Sequence, residues 1–210
     1  MTAVILSALS LLSAGLAILS DAKGSKQLFR VFKPLTMVFV ISVALAARPP
    51  VPASYRMFIL AGLLCSLAGD VALMFPDRWF EAGLVSFLAA HVFYILAFKP
   101  GPGRPFSTTI LLPFIIFGLL MFRTLAPSLG RLKFPVLVYI TAITVMAWLA
   151  AARFIDRGGT RPLLAFAGAI LFLVSDSVLA YDRFVKKLGP AQAIILGTYF
   201  PAQLLIALSI

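Results

Sequence analysis

Two aspartates, Asp70 and Asp176, lie inside apolar stretches that are long enough to cross a membrane. A carboxylate at the centre of a membrane helix costs roughly 2.5 to 3.5 kcal/mol on insertion scales, so an acid there is by default a candidate functional residue. The two acids have similar neighbouring residues, Gly-Asp-Val-Ala-Leu and Ser-Asp-Ser-Val-Leu. This similarity favours a shared functional site over two unrelated buried acids. Paired carboxyl groups suit general acid/base chemistry, because one can carry a proton while the other is ionised.

The composition indicates a polytopic membrane protein. Of the 210 residues, 62% are hydrophobic and only 12% are charged, and the mean hydropathy is +1.07. In soluble domains about a quarter of the residues are charged. The formal net charge is +11, but the basic residues fall in short groups between apolar runs. This spacing is typical of membrane topology and of contact with anionic head groups, so we expect no nucleic-acid partner.

Eight apolar segments predict an all-α membrane protein with eight transmembrane helices, in a single integral membrane domain over residues 1–210. The predicted spans are 2–20, 31–47, 57–75, 79–98, 106–122, 134–152, 162–180 and 190–209. Proline, glycine or charge marks the breaks at 48–50, 76–78, 99–101 and 157–159. The first span is interpreted as a retained helix, because its positive charges follow the apolar run, whereas those of a signal peptide precede it.

The charge distribution predicts an orientation. The first, third, fifth and seventh connections hold eleven of the 18 lysines and arginines when Lys33 is included, and the other three hold seven. The positive-inside rule therefore places the odd connections in the cytoplasm and both termini outside. We expect the protein to lie in a bacterial cytoplasmic (inner) membrane, with the site open toward the cytoplasmic leaflet.

The two halves of the chain resemble each other. The two acids are 106 residues apart, and each is followed by an Asp-Arg-aromatic triplet, at 77–79 and at 182–184. This pattern predicts two parallel four-helix repeats, 1–104 and 105–210, related by an axis along the membrane normal. The third and seventh helices would then be equivalent and hold the acids at nearly the same depth.

Other polar side chains within the spans are candidates for binding or supporting roles. Tyrosines and serines also bridge membrane helices by hydrogen bonds, and a lysine near a helix end also snorkels to the surface, so each has a structural alternative. We interpret Pro34 as a first-turn residue that follows Lys33 at the start of the second span. The supporting candidates are Lys33, His91, Tyr94, Tyr139, Ser175, Tyr199 and Gln203.

The sequence lacks the residues that several common kinds of active site require. One histidine excludes a histidine-rich zinc site, and the single cysteine, Cys65, excludes both a cysteine-based metal cluster and an intrachain disulfide. The sequence contains no Gly-x-Ser-x-Gly elbow and no glycine-rich nucleotide motif. We therefore expect no metal and no cofactor.

The order of several motifs resembles the YhhN family of membrane proteins. The resemblance runs from the second span to the eighth, and its motifs are specific only in combination. They are Phe32-Lys33-Pro34-Leu35, Ser66 to Asp70, Phe87 to Tyr94, Gly168-Ala169 with Phe172, Ser175-Asp176-Ser177, and Tyr199 with Ala202-Gln203.

The resemblance implies a lysoplasmalogenase, an ether hydrolase. The expected reaction cleaves the vinyl ether of a 1-alkenyl lysophospholipid to a fatty aldehyde and glycerophospho-ethanolamine or -choline. Acid hydrolysis of a vinyl ether needs a proton donor and an ionised group, which Asp70 and Asp176 would supply, as in glycoside hydrolysis. Ser175 and Tyr94 would orient the acids, and Lys33 would hold the lipid phosphate. The sequence does not decide which aspartate is the acid.

The sequence is also compatible with two other functions. An intramembrane aspartyl protease also uses two membrane-embedded acids, and Gly69-Asp70 with Tyr181-Asp182 superficially fits such motifs. A proton-coupled transporter or lipid-binding protein would also suit the repeat and the acids. The expected partners are a lysophospholipid substrate and membrane lipids, and the oligomeric state is left open.

Overall fold

The computed structural model describes residues 2–47, 51–100, 108 and 110–210, without the side chains of Pro76 and Asp77. This part of the chain forms eight helices, and each has the length and apolar composition needed to cross a membrane when α5 is taken with the 3₁₀ turn that follows it. The predicted all-α membrane fold is therefore confirmed. The helices are α1 Thr2–Ala22, α2 Lys26–Ala46, α3 Ala53–Leu73, α4 Pro76–Phe98, α5 Leu111–Leu125, α6 Lys133–Arg157, α7 Thr160–Phe184 and α8 Ala191–Leu208.

Several helices begin or end at residues that favour a helix boundary. Pro76 opens α4, because a proline at the first helical position lacks only an N–H that would be unpaired there anyway. Two glycines with positive φ, Gly158 and Gly159, make the short connection from α6 to α7. The predicted break at 48–50, the predicted start of the fifth span at 106 and the repeat boundary at 104/105 lie outside the described residues.

The prediction for the start of the second helix was wrong. Helix α2 begins at Lys26, so Pro34 lies inside the helix and is not a first-turn residue. Lysine and arginine are good helix formers, so Lys26 and Arg30 extend the helix beyond the apolar segment. Lys33 therefore lies two turns inside α2, where its side chain is buried.

Close helix contacts assemble the bundle around its acids. The pairs α1–α2, α3–α4 and α7–α8 have the most extensive contacts, while α4 also packs on α6 and α2 on α8. A Cβ atom at Gly168 of α7 would lie 2.8 Å from the backbone oxygen of Ala202 in α8. A Cβ atom at Gly69 would lie 2.7 Å from the ring of Phe87 in α4. Small residues are required at these crossings, which place α3 and α7 against their neighbours.

An aromatic cluster fills the centre of the bundle. The ring of Phe172 in α7 lies 4.7 Å from that of His91, 5.5 Å from that of Tyr199 and 6.1 Å from that of Phe87, centroid to centroid. All three contacts are edge-to-face, the geometry that aromatic rings prefer. Rings from α4, α7 and α8 therefore restrict one another, and two of them carry polar groups of the site.

Candidate active site

Asp70 lies at the junction of three helices. Its side chain, on α3, is almost fully buried at 3% exposure. The ammonium of Lys33 on α2 lies 3.2 Å from Asp70 Oδ1. The hydroxyl of Tyr199 on α8 donates a hydrogen bond of 2.5 Å to Oδ2. Both carboxyl oxygens thus have partners, and the buried charge is paired, as burial requires.

Asp176 has a different set of partners. The hydroxyl of Tyr139 on α6 donates a hydrogen bond of 2.5 Å to Asp176 Oδ2. His91 Nε2 on α4 lies 3.2 Å from the same oxygen and 3.1 Å from the Tyr139 hydroxyl. The Asp176 side chain is 10% exposed. Because both partners contact Oδ2, they hold the carboxyl group from one side.

The two acids line one polar cavity. Its volume is about 180 Å³, and Lys33, Ser175 and Tyr199 also face it. Charged and amide side chains from the last turn of α7 and the region that follows line the rest of the polar wall, namely Asp182, Arg183, Lys187 and Gln192. The cavity therefore extends from the buried acids toward the end of the bundle that carries the α7–α8 connection.

A second, apolar cavity of about 50 Å³ adjoins the polar one. Tyr139 and Asp176 are among its few polar side chains, and most of its wall consists of aliphatic and aromatic residues from α3 to α7. The side chains shared by both cavities are Leu73, Phe80, Phe87, Asp176 and Leu179. Asp176 thus stands where an apolar space meets a polar one.

Other candidates from the sequence hold helices together. The Tyr94 hydroxyl donates a 2.7 Å hydrogen bond to Gln203 Oε1, which joins α4 to α8, and both side chains are fully buried. The Ser175 hydroxyl donates to the Ile195 carbonyl at 3.1 Å, which joins α7 to α8. These bonds supply interhelical contacts, whereas His91, Tyr139, Tyr199 and Lys33 contact the acids directly.

Sequence reasoning missed the outer part of the polar cavity, which we call its charged mouth. Its side chains are Asp182, Arg183, Lys187 and Gln192. Arg183 was assigned to topology and to the repeated Asp-Arg-aromatic triplet, Lys187 was assigned only to topology, and Gln192 was not considered. One signal was available, because residues seven apart lie on one helical face and Arg183 follows Asp176 by seven positions. Asp182 lies beside them, where its carboxylate accepts hydrogen bonds from the backbone N–H of Leu188 and from Lys187 Nζ, each at 2.8 Å.

In the described part of the chain, eight apolar helices surround the buried Asp70 and the partly buried Asp176, and they define a polytopic integral membrane protein. The chain belongs to the YhhN family, whose model matches residues 28–210. No solved structure matches it.

Three relatives illustrate the range of similar proteins. The bovine (Bos taurus) lysoplasmalogenase TMEM86A is 36% identical over 163 residues, which cover 75% of this chain and 66% of that protein. Human lysoplasmalogenase TMEM86B is 36% identical over 165 residues, covering 74% of this chain and 64% of that protein. The chain thus spans slightly less than two thirds of these relatives. The membrane protein YhhN of Escherichia coli, described as uncharacterized, is 28% identical over 199 residues and covers 95% of each chain.

Proposed function

We propose that this protein is a lysoplasmalogenase-like hydrolase that cleaves the vinyl ether of 1-alkenyl lysophospholipids. The products would be a fatty aldehyde and glycerophospho-ethanolamine or -choline. The observation that carries the proposal is that both acids line one polar cavity, which meets an apolar cavity at Asp176. A lysolipid has the same division into polar head and apolar tail. The relatives named lysoplasmalogenases support this choice of substrate.

The proposed reaction begins with proton transfer from a carboxylic acid to the outer carbon of the vinyl ether. The double-bond electrons form the new C–H bond, and an oxygen lone pair stabilises the resulting oxocarbenium ion. Water adds to the oxocarbenium carbon and gives up a proton to a carboxylate. The hemiacetal then collapses: its hydroxyl gives its proton to the carboxylate left by the first step, its C–O bond to glycerol breaks, and the leaving glycerol oxygen takes the proton that the other carboxyl group received from water. Aldehyde and alcohol leave, and both carboxyl groups return to their starting protonation states. The sum is one vinyl ether and one water converted to one aldehyde and one alcohol.

We assign the proton-donor role to Asp176. The vinyl ether joins the tail to the glycerol, so it belongs at the boundary between the apolar and polar cavities, where Asp176 lies. His91 and Tyr139 contact Oδ2 of this acid, which leaves Oδ1 for the substrate. Asp70, paired with Lys33, is the ionised group that stabilises positive charge and accepts the proton of water.

The remaining candidates support these two acids. Tyr199 holds Asp70, while Tyr94, Gln203 and Ser175 fix α8 against α4 and α7. Positioned groups of this kind keep catalytic residues within reach of the reacting atoms. The apolar cavity would take the first part of the alkenyl chain, and the rest would extend into lipid.

Isosteric variants test the role of the acids. Purified Asp70→Asn and Asp176→Asn proteins should each lose at least about 100-fold in turnover of lysoplasmalogen, since general acid/base catalysis contributes about 10²–10⁴-fold. Asp156→Asn is the matched control, because Asp156 is exposed near the α6–α7 connection and lies outside both cavities. Near-wild-type turnover by either site variant would refute the acid pair.

Product analysis tests the substrate class. Mass spectrometry of protein incubated with lysoplasmalogen should detect fatty aldehyde, and an ordinary acyl lysophospholipid should give no fatty acid. Fatty acid from the second lipid would show an esterase. Cleavage of a membrane peptide without lipid turnover would show a protease. Asp182 is a poor second protease acid, because both of its carboxylate oxygens bind the α7–α8 connection.

A further inference from the structure

We infer that Arg183 binds the phosphate of the lysolipid and makes the site selective for phosphate-bearing substrates. This inference rests on the proposed function, which places a lysolipid across the two cavities. It concerns the charged mouth of the polar cavity, which the acid chemistry does not use.

Arg183 faces the polar cavity from the last turn of α7. It follows Asp176 by seven residues, so the two Cα atoms are about 10.5 Å apart along the helix axis. Between the vinyl ether oxygen and the phosphate a lysolipid has its three glycerol carbons and an ester oxygen. A long arginine side chain can cover the remaining distance. With its vinyl ether at Asp176, the substrate would therefore present its phosphate to Arg183.

An aromatic contact holds Arg183 in place. Its guanidinium carbon lies 4.7 Å from the ring centre of Phe80 on α4, and that ring packs edge-to-face against Phe184 at 5.8 Å. Phe80 also lines both cavities. A guanidinium stacked on an aromatic face is restricted, while its N–H groups remain available at the edge of its plane.

The other cations of this cavity already have carboxylate partners. Lys33 lies 3.2 Å from Asp70, and Lys187 lies 2.8 Å from Asp182. Among the side chains that the structure describes, no carboxylate lies within ion-pair distance of Arg183. Lys33, to which the sequence assigned the phosphate, is occupied with an acid of the site. Arg183 is the cation best placed for an incoming anion.

The chemistry of the guanidinium fits a phosphodiester. Its planar fork of N–H donors matches two phosphate oxygens and forms bidentate, charge-assisted hydrogen bonds. A lysine in this place would offer a single point of charge. The glycerol keeps the vinyl ether within a limited distance of the phosphate, so a lysolipid bound through Arg183 has its reacting carbon near Asp176.

Binding of non-hydrolysable analogues tests this inference. Calorimetry in neutral detergent would compare a 1-alkyl lysophosphoethanolamine with a 1-alkylglycerol of the same chain, which lacks the phosphate. Arg183→Gln should weaken binding of the first by on the order of 10- to 100-fold and leave the second unchanged, because only the first loses charge-assisted bonds. Arg183→Lys should recover part of the loss. Arg123→Gln is the matched control, since Arg123 is exposed in the last turn of α5 outside both cavities.

Turnover of the corresponding 1-alkenyl substrates gives the second readout. For the phosphate-bearing substrate Arg183→Gln should raise KM by a similar factor, and kcat should stay within about threefold. Equal loss for both lipids, or no loss for either, would overturn phosphate recognition by Arg183. If wild-type protein binds the analogues but releases no aldehyde, the hydrolase proposal fails, and the binding comparison still decides the role of Arg183.

Discussion

Replacing Lys33 with methionine tests the role of the buried ion pair. Methionine keeps an unbranched apolar stem, so Lys33→Met removes the ammonium with little change in packing. In the wild type the Lys33 ammonium lies 3.2 Å from Oδ1 of the buried Asp70 carboxylate. In the variant this carboxylate would keep only the hydrogen bond from Tyr199. We expect a lower free energy of unfolding and lower turnover, because the Asp70 carboxylate loses its ion pair with Lys33.

The magnitude follows from the geometry. At 3.2 Å and an effective dielectric constant of about 20, two unit charges attract each other by about 5 kcal/mol. Removing one partner of a buried pair costs about 3–5 kcal/mol in the free energy of unfolding, because an uncompensated charge remains. Tyr199 still donates to Asp70, so we expect a loss near 3 kcal/mol. The double variant Lys33→Met/Asp70→Asn leaves no unpaired charge and should lie within about 1 kcal/mol of wild type.

Unfolding of the wild type, the two single variants and the double variant in mixed micelles gives the coupling energy directly. Lys99→Met is the control, because Lys99 is an exposed residue that follows α4, and its loss should change stability by less than about 0.5 kcal/mol. Additive effects of the two single changes would refute the pair, as would a Lys33→Met protein that unfolds like wild type. Turnover should fall in the double variant whatever its stability, because Asp70 is absent.

Three further predictions concern the site, the packing and the orientation. Tyr139→Phe removes the hydrogen bond to Asp176, and steady-state kinetics should show kcat reduced by about tenfold with KM within twofold; an unchanged kcat would remove Tyr139 from the site. Gly69→Ala places a methyl group against the ring of Phe87 and should lower the unfolding temperature, whereas Gly15→Ala, whose methyl group would have no atom of another helix within 4 Å, should not; equal melting of both would contradict the close helix contact. A reporter fused to the C-terminus should be active outside the cytoplasm, and cytoplasmic activity would reverse the proposed orientation.

We propose that the two halves of the chain, 1–104 and 105–210, are parallel repeats of four helices. The offset of 106 residues between the two acids also relates their partners, Lys33 on α2 and Tyr139 on α6. The remaining partner of each acid comes from the fourth helix of the opposite half, Tyr199 on α8 and His91 on α4. An experimental structure in which α3 and α7 do not superpose when the halves are overlaid would refute the repeat.

The helices and the identity of the buried acids were predictable from the sequence. Lipid requires long helical spans whose backbone groups are all bonded internally, so hydropathy alone indicates eight helices. A charged group in such a span is costly and therefore conspicuous, which singled out Asp70 and Asp176. The boundary of α2 was less predictable, because residues such as Lys26 and Arg30 permit a helix to continue beyond the apolar segment.

Only the tertiary structure decided which side chains contact each aspartate. Hydrophobic pattern gives the length of a helix, but the rotation and neighbours of that helix depend on packing at positions such as Gly69 and Gly168. That packing pairs Lys33 with Asp70 and directs Asp176 to the boundary between a polar and an apolar cavity. It also brings Arg183, which the sequence presents only as a topological charge and as part of a repeated triplet, to the mouth of the site. Contacts between distant segments arise from the combined shape of several helices, and no single segment of the sequence encodes them.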